Sequence, residues 1–420
     1  MKKFKIGLLG FGNMGRTHLY SIENLKYYYK DLPFEAEVAK VCTTNEKSGA
    51  VARSFGIPYS TTNEDEIIFD PDIDIIDIST PNIYHYDTLK KIISAEKAIY
   101  CEKPLCVTYS QAKQVADLAN RRGVVGQIVF NNRYLAPIKR AKQLISDGKI
   151  GRILSFRCAY LHSSCCDVTR SAGWKQDKSI CGGGVLFDLG SHAIDLIYYL
   201  CGDFSYVRGM SQIAYPVRRG VDGAEWHTNA DEAFYITAKL KNGACGTIEA
   251  SKIAIGTNDD LKLEIYGEKG AIKFDLMQPN FLYYYDGSSN RGHDHNTDLG
   301  GNAGFTAIEC VGRYESPAFP ICGVKAPVGW VRGHVGSYYS FLDALYYSKP
   351  TSPSLDDGAH IQWVMERAYA DAAMANGENS EKEIKEKDIL HSGNKSYDVH
   401  DTPQSDIAAL NNALEVANRL

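Results

Sequence analysis

Three ionisable side chains have the spacing to handle a proton within one apolar segment. Residues 182–195, GGGVLFDLGSHAID, begin with three glycines and are then apolar except for Asp188, His192 and Asp195. On a helix, positions i, i+4 and i+7 share one stripe. Buried carboxylates and imidazoles are costly unless they are paired or used. The pattern indicates either a proton-handling pair that faces a cleft, or an aspartate that caps backbone amides beside a satisfied core histidine.

A glycine-rich segment near the N-terminus has the spacing of a phosphate-binding loop. The sequence GFGNMG over residues 10–15 follows a predicted strand over residues 4–9 and precedes a predicted helix that ends at about residue 29. In this context Gly10 permits the tight turn, Gly12 admits a pyrophosphate, and Gly15 allows close packing of helix on strand. The helix N-terminus adds amides and a dipole that favour an anion. The segment therefore predicts a dinucleotide site.

The end of the second predicted strand bears on which dinucleotide is bound. That strand, over residues 37–42, is followed by Thr43, Thr44 and Asn45, with neither an acid nor an arginine at its end. An acid there binds the ribose of NAD, and an arginine accommodates the 2′-phosphate of NADP. Thr43 or Thr44 can bond a ribose hydroxyl, and Lys47 can reach a phosphate. The sequence favours NAD and leaves NADP open.

The first 130 residues alternate between strand and helix patterns. Helices are predicted over 48–55, 64–69, 84–96 and 109–122, and further strands over 73–79, 98–101 and 124–130. This alternation is typical of a doubly wound parallel sheet, and residues 1–130 are predicted to form one domain. Ligands bind such sheets at the carboxyl ends of the strands, where Thr80-Pro81-Asn82 and Glu102-Lys103-Pro104 form turns.

The pattern changes after residue 131. A helix over 137–147 and a strand over 153–160 precede the polar loop at 174–178, and two hairpins follow, with turns at 241–243 and 267–270. We predict an α+β domain over residues 131–377 with a largely antiparallel sheet. Residues 279–333 are predicted to form a long ordered loop. Helices are predicted over 336–347 and 356–375, and residues 378–420 form a C-terminal extension that packs on a neighbouring subunit or is a solvated helix.

Composition narrows the class of protein. The 420 residues are 44% hydrophobic and 23% charged, with a net charge of -5, which gives no basic surface for nucleic acid. We expect no membrane span, because no apolar run is long enough. Eleven irregularly spaced cysteines and no signal sequence at the start predict a reducing cytoplasm. His293 and His295 lack further ligands nearby in sequence, so no metal is predicted.

The ordered motifs resemble those of the Gfo/Idh/MocA oxidoreductase family. GFGNMG, STPNIYH, CEKP and GGGVLFDLGSHAID occur in the family's order and spacing over about residues 3–375. The resemblance implies an N-terminal Rossmann domain that binds NAD(P), a C-terminal domain with an open-faced sheet, and a homo-oligomer. The sequence departs from the family at the acid of the second strand, where Thr43 stands. In some relatives the cofactor stays bound, so a tightly bound NAD is one expectation.

The resemblance also implies roles for individual residues. The catalytic residues would be Lys103, Asp188 and His192. His192, expected to titrate near neutrality, would be the general base, Lys103 would hold the reacting oxygen, and Asp188 would orient substrate or imidazole. The implied cofactor neighbours are Gly10, Phe11, Gly12, Asn13, Met14, Gly15, Thr43, Thr80, Pro81, Asn82, His85, Glu102 and Lys103. The implied substrate neighbours are Lys103, Tyr160, His162, Trp174, Lys175, Asp188 and His192.

These residues suit the oxidation of a ring hydroxyl. Aromatic and hydrogen-bonding side chains together favour a polyhydroxylated ring, and residues 174–188 and 330–334 resemble the branch that acts on anhydrosugars and glycosides. The specific hypothesis is NAD(P)-dependent oxidation of a sugar, glycoside or cyclitol, with C3 of a glucoside preferred. The alternatives are an NAD-dependent glycosidase that oxidises C3 transiently, an imine or enamine reductase, and a sensor that binds NAD(H) without turnover.

Overall fold

The structure is a computed structural model of the chain. It describes residues 1–220, 223–287, 304–311, 313, 316–318, 329 and 331–375. The predicted C-terminal extension, Trp330, and the pair His293 and His295 lie outside the described residues.

The N-terminal half forms a six-stranded parallel sheet in the order β3-β2-β1-β4-β5-β6. Its strands are β1 (Lys2–Leu9), β2 (Phe34–Cys42), β3 (Tyr59–Thr61), β4 (Ile75–Ile78), β5 (Ala98–Cys101) and β6 (Gly126–Ile128). Its helices are α1 (Asn13–Tyr28), α2 (Glu46–Ser54), α3 (Asp65–Ile68), α4 (His85–Ser94) and α5 (Tyr109–Arg122). The predicted doubly wound sheet is confirmed, and its order reverses between β1 and β4, where such folds bind dinucleotides.

The second half is built on an eight-stranded sheet in the order β16-β15-β14-β13-β7-β12-β11-β8. The elements that lead into it are α6 (Ala136–Ser146), β7 (Ile153–Leu161), α7 (Lys178–Cys181), α8 (Ser191–Cys201) and β8 (Phe204–Gln212). A small ribbon, β9 (Val217–Arg219) and β10 (Glu225–His227), precedes β11 (Ala233–Leu240), β12 (Cys245–Ser251), β13 (Asp260–Gly267), β14 (Gly270–Asp275), β15 (Phe281–Asp286) and β16 (Thr306–Glu309). Only the β7–β12 pair is parallel among the described pairs of this sheet, so the largely antiparallel prediction is confirmed.

Two predicted segments differ from the structure. Residues 279–333 are not simply a loop, because β15 and β16 extend the sheet edge there by antiparallel pairing. Because this segment is rich in Gly and Tyr, its two short strands were not predicted. They form by pairing with the rest of the sheet. Residues 182–195 do not form one helix either: a turn at the three glycines and a π-helical turn over Leu186–Gly190 precede α8.

Helix α9 (Val331–Tyr346) connects the two halves of the chain. Its side chains Val335, Tyr338, Phe341 and Leu342 lie in the same apolar cluster as residues of β1, α1 and β2. Helix α10 (Leu355–Ala375) packs instead on α5 and β8. The packing of α9 and α10 therefore holds the carboxyl ends of the parallel strands in place relative to the face of the larger sheet. The domain boundaries themselves stay predictions.

Within the part of the chain that the structure describes, one helical segment has the length and composition of a membrane span. Over Lys178–Cys201 the mean hydropathy reaches 1.3, but 83% of the window is buried inside the fold. The expectation that no apolar run is long enough overlooked this segment. Its burial matches that of a core helix, so it is weak evidence for a membrane span.

Candidate active site

The glycine loop has the geometry that a bound pyrophosphate requires. Gly10 has φ +95°, and a Cβ there would lie 2.8 Å from the carbonyl oxygen of Ser79. A Cβ on Gly15 would lie 2.4 Å from the carbonyl oxygen of Gly10, so α1 approaches the loop closely. Gly12 caps α1 and has open space around its Cβ position among the described residues. Helix amides therefore face room for an anion.

The other predicted residues of this loop lie around it. Phe11 is buried in edge contact with Phe55, with ring centroids 5.5 Å apart, and the Arg16 guanidinium lies 5.7 Å from both rings. Asn13 and Met14 form the first turn of α1, where Asn13 is exposed and Met14 half-buried. They supply the free amides of the helix end.

The loop after β4 has a polar atom that a ligand can satisfy. Within the described residues the buried Oγ1 of Thr80 has no hydrogen-bond partner. Pro81 follows it, and Asn82 Nδ2 donates to the carbonyl oxygen of Cys181 at 2.8 Å, joining this loop to the second half of the chain. An orphaned hydroxyl at a strand's carboxyl end, beside the glycine loop, fits a dinucleotide.

His85 lies behind these loops. Its ring is fully buried, with Nε2 2.9 Å from the carbonyl oxygen of Thr80 and Nδ1 3.0 Å from that of Pro104. Burial lowers its pKa. In the structure His85 braces the loops after β4 and β5, and its contact with the cofactor stays a prediction.

The threonine that follows β2 makes its hydrogen bonds within the protein. Thr43 is buried, its amide donates to Thr61 and its Oγ1 donates to the carbonyl oxygen of Asn45 at 3.0 Å. Asn45 in turn caps α2 by accepting from the amide of Ser48. Thr43 therefore shapes the loop, and the suggested bond from Thr43 to a ribose hydroxyl would require this hydroxyl to leave its partner.

Asp188 is the centre of a cluster of three lysines. Lys103 Nζ lies 3.1 Å from Oδ1 and donates to the Asp188 carbonyl oxygen at 2.7 Å. Lys175 Nζ contacts both carboxylate oxygens, at 3.1 and 2.9 Å. Lys252 Nζ lies 2.9 Å from Oδ2. Two of the predicted substrate neighbours, Lys103 and Lys175, thus contact Asp188. Lys252, which was not predicted, contacts it as well.

This cluster keeps Asp188 ionised. Burial by itself raises the pKa of a carboxyl, but the charges of Lys175, Lys252 and Lys103 outweigh it and hold the pKa of Asp188 well below its usual range. The same carboxylate outweighs burial at Lys252 and raises the pKa of that ammonium. Asp188 is therefore suited to orient ammonium groups. Among the described residues, no hydrogen bond joins its carboxylate to the His192 imidazole.

A buried aspartate holds the turn that carries Asp188. Asp231 accepts from the amides of Gly184 and Leu186 at 2.9 and 3.1 Å, and from the hydroxyl of Tyr369. A Cβ on Gly184 would lie 2.1 Å from the Asp231 carbonyl oxygen, so only glycine fits there. Gly184 is thus needed for the close approach of two backbones.

His192 lies one turn further on, in an apolar setting. It is 9% exposed, with its ring edge-on to Phe130 and Tyr160 at centroid distances of 5.9 and 6.0 Å. Burial, and then the charge of Lys103, lower its pKa to about 3. The expected titration near neutrality is therefore wrong for the free protein, because the sequence did not reveal how deeply the ring is buried. The imidazole is therefore neutral in the free protein, and it is a weaker base than an ordinary histidine.

Asp195 does not belong to this cluster. Its carboxylate pairs with the Arg133 guanidinium at 2.5–3.1 Å, and both side chains are buried. The spacing of Asp188, His192 and Asp195 did predict a polar stripe, but the π-helical turn and Arg133 give its two ends different partners.

The remaining predicted substrate residues lie along β7 and the following loop. Tyr160 and His162 both contact Asp259 Oδ1, at 2.7 and 3.0 Å. Trp174 is half-buried with the Lys175 ammonium 5.7 Å from its ring centroid. Tyr160 lies next to the site because its ring contacts that of His192. Trp174 lies next to the site because the residue that follows it, Lys175, contacts Asp188.

Sequence reasoning missed Lys252, Asp259 and Asp231. Lys252 follows β12 directly, which is a position where a charged side chain can reach a site, but many strands end in lysine. The other two are ordinary surface residues by sequence alone. Only the pairing of β7 with β12 and β13 brings Lys252 and Asp259 beside the predicted residues.

Metal ligation has no support in the described part of the chain. No group of three His, Cys, Asp or Glu side chains there is arranged to hold an ion. The ten cysteines of that part are free thiols.

The fold and the two strand-end loops define an NAD-binding oxidoreductase. Residues 4–130 match the family model described as an oxidoreductase family with an NAD-binding Rossmann fold, and residues 138–273 match the GFO/IDH/MocA C-terminal domain. The chain belongs to the Gfo/Idh/MocA oxidoreductase family, which confirms the resemblance. The cofactor class expected for the first domain is confirmed with it.

Two known relatives and one solved structure are similar to this chain over most of its length. Levoglucosan dehydrogenase of Pseudarthrobacter phenanthrenivorans is 30% identical over 392 residues, which is 89% of this chain and 97% of the relative. Glucose-6-phosphate 3-dehydrogenase of Bacillus subtilis is 28% identical over 67% of this chain and 77% of its own length. A structure of levoglucosan dehydrogenase in complex with NADH superimposes with a TM-score of 0.83 at 29% identity, over 89% of this chain and 98% of that one.

Proposed function

We propose that this protein oxidises a secondary ring hydroxyl of a sugar, glycoside or anhydrosugar, with C3 of a glucoside as the preferred position. The observation that carries the proposal is the contact of Lys103 and Lys175 with Asp188, one turn before the neutral His192. Two relatives support the substrate class, because one is named for an anhydrosugar and the other for position 3 of a sugar phosphate.

Each residue has a chemical role in this reaction. When bound, the nicotinamide supplies the hydride acceptor. Beyond its two bonds to Asp188, Lys103 has a third N–H, which can hydrogen-bond to the reacting oxygen and stabilise the negative charge that develops there, without transfer of the proton. We assign the hydroxyl proton to His192, whose imidazole is neutral, but a pKa of about 3 makes it a weak base. The role therefore requires that bound substrate and cofactor raise this pKa toward the working pH. Lys175 is half-exposed beside Trp174, where it can bind a neighbouring hydroxyl.

The test is nicotinamide absorbance of the purified protein with a panel of sugars, glucosides and anhydrosugars. It is run at stoichiometric protein concentration, with and without added NAD or NADP. Reduction without added cofactor would indicate a tightly held nicotinamide, and reduction only with added cofactor would indicate exchange with solution. Identification of a keto product that keeps its aglycone separates a dehydrogenase from a glycosidase.

The matched variant for this test is Lys103→Met. We expect kcat/KM to fall by about 10²–10³-fold, which is the usual effect of removing one donor to a developing oxyanion, while NADH still binds. Full activity of the variant would contradict the mechanism. Lack of reduction by every sugar, with cofactor bound, would contradict the proposed substrate class and favour a sensor or an imine reductase.

A further inference from the structure

A fully buried charged cluster lies behind the glycine loop. His18, in α1, has Nδ1 2.9 Å from Asp77 Oδ1 and Nε2 3.2 Å from Glu102 Oε1. The three side chains come from α1, β4 and the residue after β5. Because both ring nitrogens face carboxylate oxygens, both must donate, which requires the imidazolium form.

The charges of this cluster are mutually stabilised. Burial alone lowers the pKa of His18, but Asp77 and Glu102 outweigh it and raise that pKa to about 10. Burial alone raises the pKa of Glu102, yet His18 and then Lys103 lower it to about 2. The ion pair therefore persists across the whole range in which the protein would work.

The cluster is connected to the predicted reacting centre. The other oxygen of Glu102, Oε2, accepts from the amide of Lys103 at 3.1 Å. On the opposite side the hydroxyl of Tyr338, in α9, donates to Asp77. A continuous chain of contacts thus runs from α9 and α1 to the backbone of Lys103.

Aromatic rings enclose the imidazolium. Tyr100, Tyr338 and His334 have ring centroids 5.3, 5.9 and 6.1 Å from that of His18. The charged and titratable groups that face His18 and Glu102 are therefore Asp77 on β4, Tyr100 on β5, Lys103, and His334 and Tyr338 on α9. Such a costly arrangement in the interior needs a function to explain it.

We propose that His18 is a positioning residue that fixes Glu102, and through Glu102 the backbone of Lys103, so that the Lys103 ammonium stays within reach of Asp188 and the reacting oxygen. The role of Lys103 in this statement rests on the proposed function. The connection from His18 to the Lys103 backbone does not, because it is a set of contacts in the free protein.

The first experiment is hydrogen–deuterium exchange of the free protein, wild type against His18→Gln. Glutamine keeps one donor but loses the charge, so we expect several-fold faster exchange in peptides that cover residues 99–106. The matched control is Phe34→Leu, a cavity-forming change elsewhere in the apolar cluster that includes Tyr100, which measures how far lost packing alone raises exchange in those peptides. Exchange in His18→Gln that equals the control would overturn the proposal.

The second experiment is a pH profile of kcat on any substrate that the panel identifies. Misplacement of Lys103 should lower kcat by about 10–100-fold in His18→Gln. Without its cation, buried Glu102 should titrate within the working range and add an acidic limb, which the double variant His18→Gln/Glu102→Gln removes. A profile parallel to that of Phe34→Leu would show that His18 is only structural.

A milder variant covers the case in which His18→Gln does not fold. Tyr338→Phe removes one donor to Asp77 and keeps the ring, so we expect a smaller increase in exchange over residues 99–106. Unchanged exchange in a folded Tyr338→Phe would overturn the proposed connection. Since exchange is measured without substrate, an error in the substrate class would leave this result standing.

Discussion

At the scale of the residue, the lysines around Asp188 divide into two kinds. Lys103 and Lys175 lie in the loops that follow β5 and β7, and their side chains are 13% and 46% exposed. Lys252 is 7% exposed and approaches from the end of β12. We infer that Lys103 and Lys175 can bind substrate oxygens in addition to Asp188, while Lys252 serves only to keep the carboxylate paired.

The change Lys252→Met tests this division through stability. It should lower the free energy of unfolding by about 1–3 kcal/mol, because a buried carboxylate loses one charged partner but keeps two. The control is Lys262→Met, since Lys262 also lies 2.9 Å from an aspartate but is 52% exposed. Denaturant unfolding should show at most about 0.5 kcal/mol for the control. Equal losses in the two variants would contradict the inference.

At the scale of the element, the turn between α7 and α8 sets the position of both Asp188 and His192. The amides of Gly184 and Leu186 are fixed on Asp231, and the following residues form a π-helical turn before α8 begins. A π turn adds a residue to the helical turn and is frequent at functional sites. It aims Asp188 at the lysines while α8 continues into the core.

The change Gly184→Ala should therefore disturb this element as a whole. Its Cβ would meet backbone atoms of Asp231 at 2.1 and 2.3 Å, which a side-chain rotation cannot relieve. We expect a loss of about 2–4 kcal/mol in the free energy of unfolding, of the size that overpacking can reach. Gly304→Ala is the control, because no described atom lies within 4 Å of its Cβ position. A stable Gly184→Ala with unchanged melting temperature would show that the turn can move.

At the scale of the whole molecule, buried histidines couple folding to pH. His192 has a pKa of about 3 in the fold, whereas an unfolded histidine has a pKa of about 6.5. Between these values the unfolded state binds the extra proton, so the free energy of unfolding falls as the pH falls. His334 has the same shift, to about 3, and contributes in the same direction.

The change His192→Leu should remove one such contribution. Between about pH 6 and about pH 4.5, its free energy of unfolding should fall less steeply than that of wild type, by about 1.4 kcal/mol per pH unit. Denaturant unfolding at several pH values measures this slope. His227→Leu is the control, since His227 is 76% exposed and its replacement should leave the slope unchanged. Parallel curves for wild type and His192→Leu would contradict the assigned shift.

The sequence by itself determined the architecture and much of the candidate site. Periodicity predicted β5 and α5 with their observed bounds, and the glycine spacing predicted the loop before α1, because these features depend on neighbours in the chain. The motifs also identified Lys103 and Asp188, and the family resemblance implied Lys175; the structure brings the two lysines into contact with Asp188. Their catalytic roles stay predictions.

Only the tertiary structure decided how these groups are charged and which further groups meet them. The pKa of His192 depends on burial against Phe130 and Tyr160, which lie on separate elements. Lys252 reaches Asp188, and His18 reaches Glu102, across 64 and 84 residues of chain respectively. Burial and charge are set by contacts between residues that are distant in sequence. The local sequence pattern that specifies a helix or a turn therefore cannot predict them.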